Sequence, residues 1–294
     1  MTDEEQLVHA LEALGLRYEL RQEAGRPVAG FQYQLAPGTL VPFDAQVRSG
    51  VLQLRARAGR GGLELRPRIN ELNKRWWLGR VYLDQDHRLA TSAGLVLAHT
   101  TSPIEALRTL LALLRRAVWF LLNAPASFAR IDDDTHSPTD TSFEDSFSAL
   151  LVDEAEQVPA VAGAPLDELA ALLARSGRPF SMRADGVTLT QRFTVEGERD
   201  FVVDLFVVRS ALLCMRARRL GTTLVVDPVA ALHGLERLNQ RFAIGNAVLD
   251  GARTLVQIAL PLRWTRLDAD LADWLLARAH AAMAAVDRAV ELRD

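Results

Sequence analysis

A chain of 294 residues, 49% of them apolar, is long enough for two domains that each bury a core, and a net charge of −3 excludes a protein that works as a strongly charged whole. Its single cysteine, Cys214, excludes an internal disulfide framework and leads us to expect a reducing, cytoplasmic setting. The charge is uneven: residues 1–124 carry 16 Lys/Arg against 12 Asp/Glu, residues 125–163 one against nine, and residues 164–294 17 against 16, so an acidic segment joins two nearly balanced halves.

In chain order, Leu7, Ala10, Leu11 and Leu14 stand at helical spacing before Gly15, which predicts a short amphipathic helix. Its acidic start does not read as a signal peptide. From Arg17 to Ala58 the apolar period falls to two, at Phe31/Tyr33/Leu35 and Leu52/Leu54/Ala56, which predicts antiparallel strands with a turn at Arg48-Ser49-Gly50. The GRGG run at 59–62 ends the sheet. A helix over Leu63 to Arg75 follows, with Pro67 in its first turn, then strands at Gly79–Leu83 and Leu89–Leu97. Ser102 and Pro103 cap and open a helix to about Leu122, in which Glu105, Arg108, Arg115 and Arg116 argue against a bilayer span.

Residues 125–163 replace this periodicity with Pro, Ser, Thr and acids, a composition that predicts a flexible linker. The second half predicts a helix over Leu166–Leu173, strands at Val187–Phe193, Phe201–Val208 and Leu212–Ala217, and a helix over Pro228–Arg241. Strands at Ala243–Leu249 and Thr254–Leu262 precede a closing helix from Asp268 to about Leu292.

The second half repeats the first. ELNKRWWLGRVYLDQDHRL at 71–89 aligns without a gap on RLNQRFAIGNAVLDGARTL at 237–255, matching Leu72, Asn73, Arg75, Gly79, Leu83, Asp84 and Leu89 with Leu238, Asn239, Arg241, Gly245, Leu249, Asp250 and Leu255. RSGVLQLRARA at 48–58 likewise matches RSALLCMRARR at 209–219, and the second copy carries a small insertion near 221–224. Two matched blocks in one order imply a tandem duplication. The fold class expected is α+β: two α-β-β-β-α-β-β-α repeats, over 1–124 and 164–294, each an antiparallel sheet covered by helices.

The Leu72-Asn73, Gly79, Leu83-Asp84 block within this order of elements resembles the YbjN domain, a family of bacterial sensory transduction regulators, which looks like the type III secretion chaperone fold. The resemblance covers both halves and leaves out the linker. It implies a noncatalytic protein-binding module and brings no catalytic residues with it.

The residues themselves offer little chemistry. The six histidines are scattered, without HExxH or a Cys/His cluster, and no P-loop, dinucleotide fingerprint or nucleophile elbow occurs, so no metal or cofactor is expected. Cys214 lies in an alternating strand without a base nearby in sequence and reads as a spectator thiol. Asn73 and Asn239 read as side chains that satisfy backbone groups near a helix end, and Asp84 and Asp250 as turn residues.

These observations lead to the expectation of a noncatalytic adaptor or chaperone-like regulator, in stress response or regulation, that binds a partner protein. The partner would carry a basic surface, as a nucleic-acid-handling protein does, facing Asp132, Asp133 and Asp134 of the linker. Trp76, Trp77 and Tyr82, which become Phe242, Ala243 and Val248 in the second copy, are the candidate specificity residues, with Phe143, Phe147, Leu150 and Leu151 as a docking face in the linker. The alternative is direct single-stranded nucleic-acid binding through Arg55, Arg57, Arg60, Arg66 and Arg68. Both closing helices carry apolar residues around most of their circumference, which predicts burial on a second side, in an intrachain pseudo-dimer or a homodimer.

Overall fold

The computed structural model describes residues 2–123, 161, 165–175, 177, 180–183, 188–193, 200–220, 224–290 and 292–293. The linker residues Asp132, Asp133, Asp134, Phe143, Phe147, Leu150 and Leu151 lie outside the described residues.

Residues 2–123 form the first unit. Helix α1 (Asp3–Ala13) starts in a capping box, where the Thr2 hydroxyl accepts from the Glu5 N–H and the Glu5 carboxylate accepts from the Thr2 N–H. Strands β1 (Glu19–Glu23), β2 (Arg26–Ala36), β3 (Thr39–Arg48) and β4 (Val51–Arg60) follow, then α2 (Arg66–Arg75), β5 (Gly79–Leu83), β6 (Arg88–Val96) and α3 (Pro103–Asn123). The antiparallel sheet runs β1-β2-β3-β4-β6-β5. It has one strand more than the alternation suggested, because all five residues of β1 are exposed and leave no apolar period to read. Ser49 and Gly50 both take positive φ at the β3–β4 turn, as a two-residue hairpin connection demands.

The second unit comprises α4 (Pro165–Arg175), β7 (Ser181–Met182), β8 (Thr188–Phe193), β9 (Phe201–Val208), β10 (Leu212–Arg219), β11 (Leu224–Val225), α5 (Pro228–Arg241), β12 (Asn246–Asp250), β13 (Arg253–Pro261), α6 (Ala269–Ala289) and β14 (Leu292–Arg293). Its sheet runs β12-β13-β10-β9-β8-β7, the order of the first sheet with each strand replaced by its counterpart. The tandem α+β architecture is therefore as the repeat implied. One sequence match does not survive. Leu83 pairs with Leu89 but Leu249 pairs with Thr254, so the β12–β13 turn is one residue shorter and Leu89 corresponds to Thr254, not Leu255.

Each sheet packs one face on its own long helix. Ala106, Leu107, Leu110, Leu111, Leu114, Val118 and Leu121 of α3 are buried against Leu52, Leu54 and Ala56 of β4 and their neighbours. The same seven positions of α6, from Leu271 to Val286, are buried in the second core. The cores interpenetrate: Val51 and Val96 belong to the second, whereas Ala211, Leu212, Cys214, Ala259 and Trp264 belong to the first. The β4 face that carries Val51 and Gln53 is thus an internal seam rather than a solvated surface. No helix among the described residues is long and apolar enough to cross a membrane.

Candidate functional site

The repeated block builds the seam. Asn73, at the end of α2, accepts from the Val81 N–H and donates to the Val81 carbonyl, both at 2.8 Å. Asn239, at the end of α5, does the same to Ala247, at 2.7 and 2.9 Å. Each asparagine therefore ties a helix to the open side of the edge strand that follows it. The next free groups on those edges are taken by the other unit. Asn70 bonds both the N–H and the carbonyl of Leu249, each at 2.8 Å, and the Gln240 amide donates to the Leu83 carbonyl at 2.6 Å. Two sheet edges that would otherwise invite pairing with another chain are closed in this way.

Arg80 and Asn246, counterparts in the repeat, cross the seam in opposite directions. Arg80 is fully buried and donates to the carbonyls of Gly245, at 2.7 Å, and Phe242. Asn246, equally buried, donates to the carbonyls of Trp76, Gly79 and Asn73 at 2.8, 3.2 and 3.1 Å. Trp76 and Phe242 are the C-caps of α2 and α5, so each donor meets the partially negative end of the other unit's helix. Burial lowers the Arg80 pKa to about 10, and the carbonyls of the α5 terminus rather than a carboxylate hold its charge. A backbone bridge completes the arrangement: Thr101 N–H donates to Trp264 and Arg266 N–H to His99, with Thr100 opposite its own counterpart Thr265. These reciprocal contacts make the two units a pseudo-dimer within one chain.

This placement corrects several site expectations. Trp76 (3% exposed) and Tyr82 (5%) are interior, and Trp77 stacks edge-on against Phe206 of the second unit, 5.4 Å between centroids, under the Arg216 guanidinium. Trp77 joins the repeats, and the buried Trp76 and Tyr82 are not offered to a partner. The arginines do not form one unopposed patch. Arg55 sits beside Glu23 and Asp44, Arg57 lies 3.6 Å from Asp84, and Arg66 pairs with Glu236 across the seam. Arg68 is half-buried and has a partner of its own, and the Arg60 side chain lies outside the described residues. The pocket of about 280 Å³ around Asp44, Arg55 and Asp84 is lined by charges of both signs.

The same self-neutralising cluster recurs in the second unit. Asp44 lies opposite Gly30 and Arg55, with Arg21 at 2.7 Å; Asp204 lies opposite Thr190 and Arg216, with Arg183 at 2.8 Å and Arg218 at 3.6 Å. The Arg21 guanidinium lies over Gly30, where a Cβ would displace it. As expected of turn chemistry, the Asp84 carboxylate accepts from the Asp86 and Arg88 N–H groups, both at 2.9 Å. Cys214 is buried, which pushes its thiol up to about 12, so it is not a nucleophile near neutrality. Among the described residues no group of three His, Cys, Asp or Glu side chains could hold a metal ion.

One cleft is different. It has a volume of about 550 Å³ and opens between α5, α6 and the β3–β4 turn. Arg48 enters from the first unit, Arg237 and Arg241 from α5, and Arg278 and Arg288 from α6, around an apolar floor that includes Ile244, Ile258, Ala282 and Ala285. Among the described residues no carboxylate lines it and none of the five guanidinia forms an ion pair. Arg48 donates to the Arg241 carbonyl at 2.9 Å; partial burial first, and then Arg26, Arg278 and Arg241, lower its pKa. Arg278 lies over the Trp274 ring, 5.4 Å from its centroid. The sequence reading missed this site because its cations come from three distant elements. The one local signal is Arg237 and Arg241, four apart on one helix face.

Residues 3–117, nearly the whole first unit, match the YbjN family, described as "Putative bacterial sensory transduction regulator". No curated protein matches the chain. Among solved structures the chain is similar to the di-domain ARO/CYC StfQ from the steffimycin biosynthetic pathway. That similarity has 10% identity over 96% of this chain and 92% of that one, and a TM-score of 0.17, a level that establishes no common fold.

Proposed function

We propose that this chain, whose first unit matches the YbjN family, is a noncatalytic regulatory adaptor that binds a partner protein. The observation that carries the reading is the match of residues 3–117 to a family of sensory transduction regulators, and the arginine cleft adds a surface suited to binding rather than catalysis. Five guanidinia supply charge and fixed hydrogen-bond donors but no group that titrates near neutral pH, so the cleft is suited to holding an anion and unsuited to moving a proton. The family description, a regulator of sensory transduction, agrees with binding as the task. Fusion of two units into one body through Arg80, Asn246 and Asn70 provides a rigid platform on which a partner can be oriented. The nine acids of residues 125–163, against one arginine, suit a partner with a basic surface and a salt-dependent encounter.

The test is affinity capture from the native cell with the full chain and with a variant whose 125–163 acids are replaced by Asn and Gln. A partner protein that survives nuclease treatment, is lost as salt rises and is depleted by the variant supports the adaptor. Recovery of nucleic acid alone, or of nothing, overturns it.

A further inference from the structure

We propose that the arginine cleft is a binding site for a small amphipathic anion, specifically a phosphate monoester on an aliphatic body. The reading goes beyond the adaptor function and does not depend on a partner protein. Five guanidinia around one opening exceed what a single carboxylate neutralises, whereas a phosphate dianion offers three acceptor oxygens to forked donors. The floor at Ile244, Ile258, Ala282 and Ala285 is apolar and asks for an aliphatic rather than a hydrated body. A volume of about 550 Å³ falls within the range of small-ligand pockets. It is too small to enclose a nucleic-acid strand.

Two further observations point to a ligand. Arg48 is half-buried among Arg26, Arg241 and Arg278 with no carboxylate near among the described residues, a repulsive arrangement that an incoming anion relieves. The equivalent place in the first unit carries larger side chains. Trp77 stands where the second unit has Ala243, each directly after a C-cap, and Phe120 of α3 occupies the burial position of Ala285 on α6. Small residues thus keep open in one unit a space where the other carries large ones.

Calorimetry on the full chain tests this with octyl phosphate, below its micellar concentration, and with inorganic phosphate. Octyl phosphate should bind saturably at one site, about 100-fold tighter than inorganic phosphate because of its buried chain. Arg237→Ala and Arg288→Ala, both at exposed positions, should each weaken binding about ten-fold, and Arg88→Ala, outside the cleft, should leave it unchanged. Ala285→Phe should block the site without altering charge; if that variant unfolds, the arginine variants carry the test. Absence of saturable binding, equal affinity in the arginine variants, or displacement of octyl phosphate by a tighter-binding oligonucleotide would each overturn the proposal. None of these outcomes bears on capture of a partner protein, so the two readings fail separately.

Discussion

Counterpart positions of the two units have been put to different uses, and the seam and the cleft follow from those differences. At 80 and 246 the first unit has an arginine and the second an asparagine, and both reach the other's helix end. At 77 and 243 the first has a tryptophan, which packs against Phe206, and the second an alanine, which leaves its crevice open beneath five arginines. Where the copies agree, as at Asn73 and Asn239, the side chain does local structural work inside its own unit. Divergence at these two pairs therefore shapes the link between the units and keeps one crevice open, while Arg48 and Arg241 of the cleft have arginine counterparts at 209 and 75.

The comparison can be broken most severely at position 80. Arg80→Ala removes the side-chain donor to the buried Gly245 carbonyl, leaves the Phe242 carbonyl to Gln53 alone and opens a cavity between the units, and should cost about 3–5 kcal/mol by urea denaturation. Asn246→Ala removes a neutral donor and should cost about 2 kcal/mol, so a larger loss at 246 than at 80 would reverse the assignment of the stronger link. Asn73→Ala and Asn239→Ala, each orphaning one buried N–H and one carbonyl, should cost about 2 kcal/mol apiece and equally, because they do the same thing in both copies.

Trp77→Ala sharpens the contrast between the crevices. It should cost about 2 kcal/mol, since the ring is only partly buried, and should open a second cleft detectable as new binding of an environment-sensitive dye. The smallest effect concerns Cys214. Its folded pKa of about 12 lies above the ordinary thiol value of 9, so the unfolded state loses its proton first. The contribution is fully present below pH 9 and is lost as pH rises toward 12. Cys214→Ala should flatten the fall of stability with pH in that window, and iodoacetamide should label the wild-type thiol only under denaturing conditions.

The architecture was legible because duplication prints itself twice. Asn73 and Asn239 stand at one spacing before one strand, and the strap of each edge strand could be inferred from that alone. Arg80 could not, because an arginine in a strand reads as exposed and its partner position holds a different residue type, so nothing in the pattern signals a shared role. Trp76, Trp77 and Tyr82 misled for a related reason. A run with charged neighbours looks like surface, but Trp76 and Tyr82 are interior and Trp77 meets the second unit at Phe206. The cleft arginines converge from residues 48, 237, 241, 278 and 288, a separation that no local window spans.

The reciprocal bonds of Arg80, Asn246, Asn70 and Gln240 run directly between the units and owe nothing to the peptide that connects them. Covalent continuity supplies only a high effective concentration of one unit for the other. Cut between residues 123 and 165 and produced as two polypeptides, the halves should reassemble into a heterodimer, with no self-pairs of either kind, because only unlike halves bring the arginine and the asparagine to the same seam. The chain would then be a natural split protein, its two pieces addressed to one another by chemistry rather than by a tether.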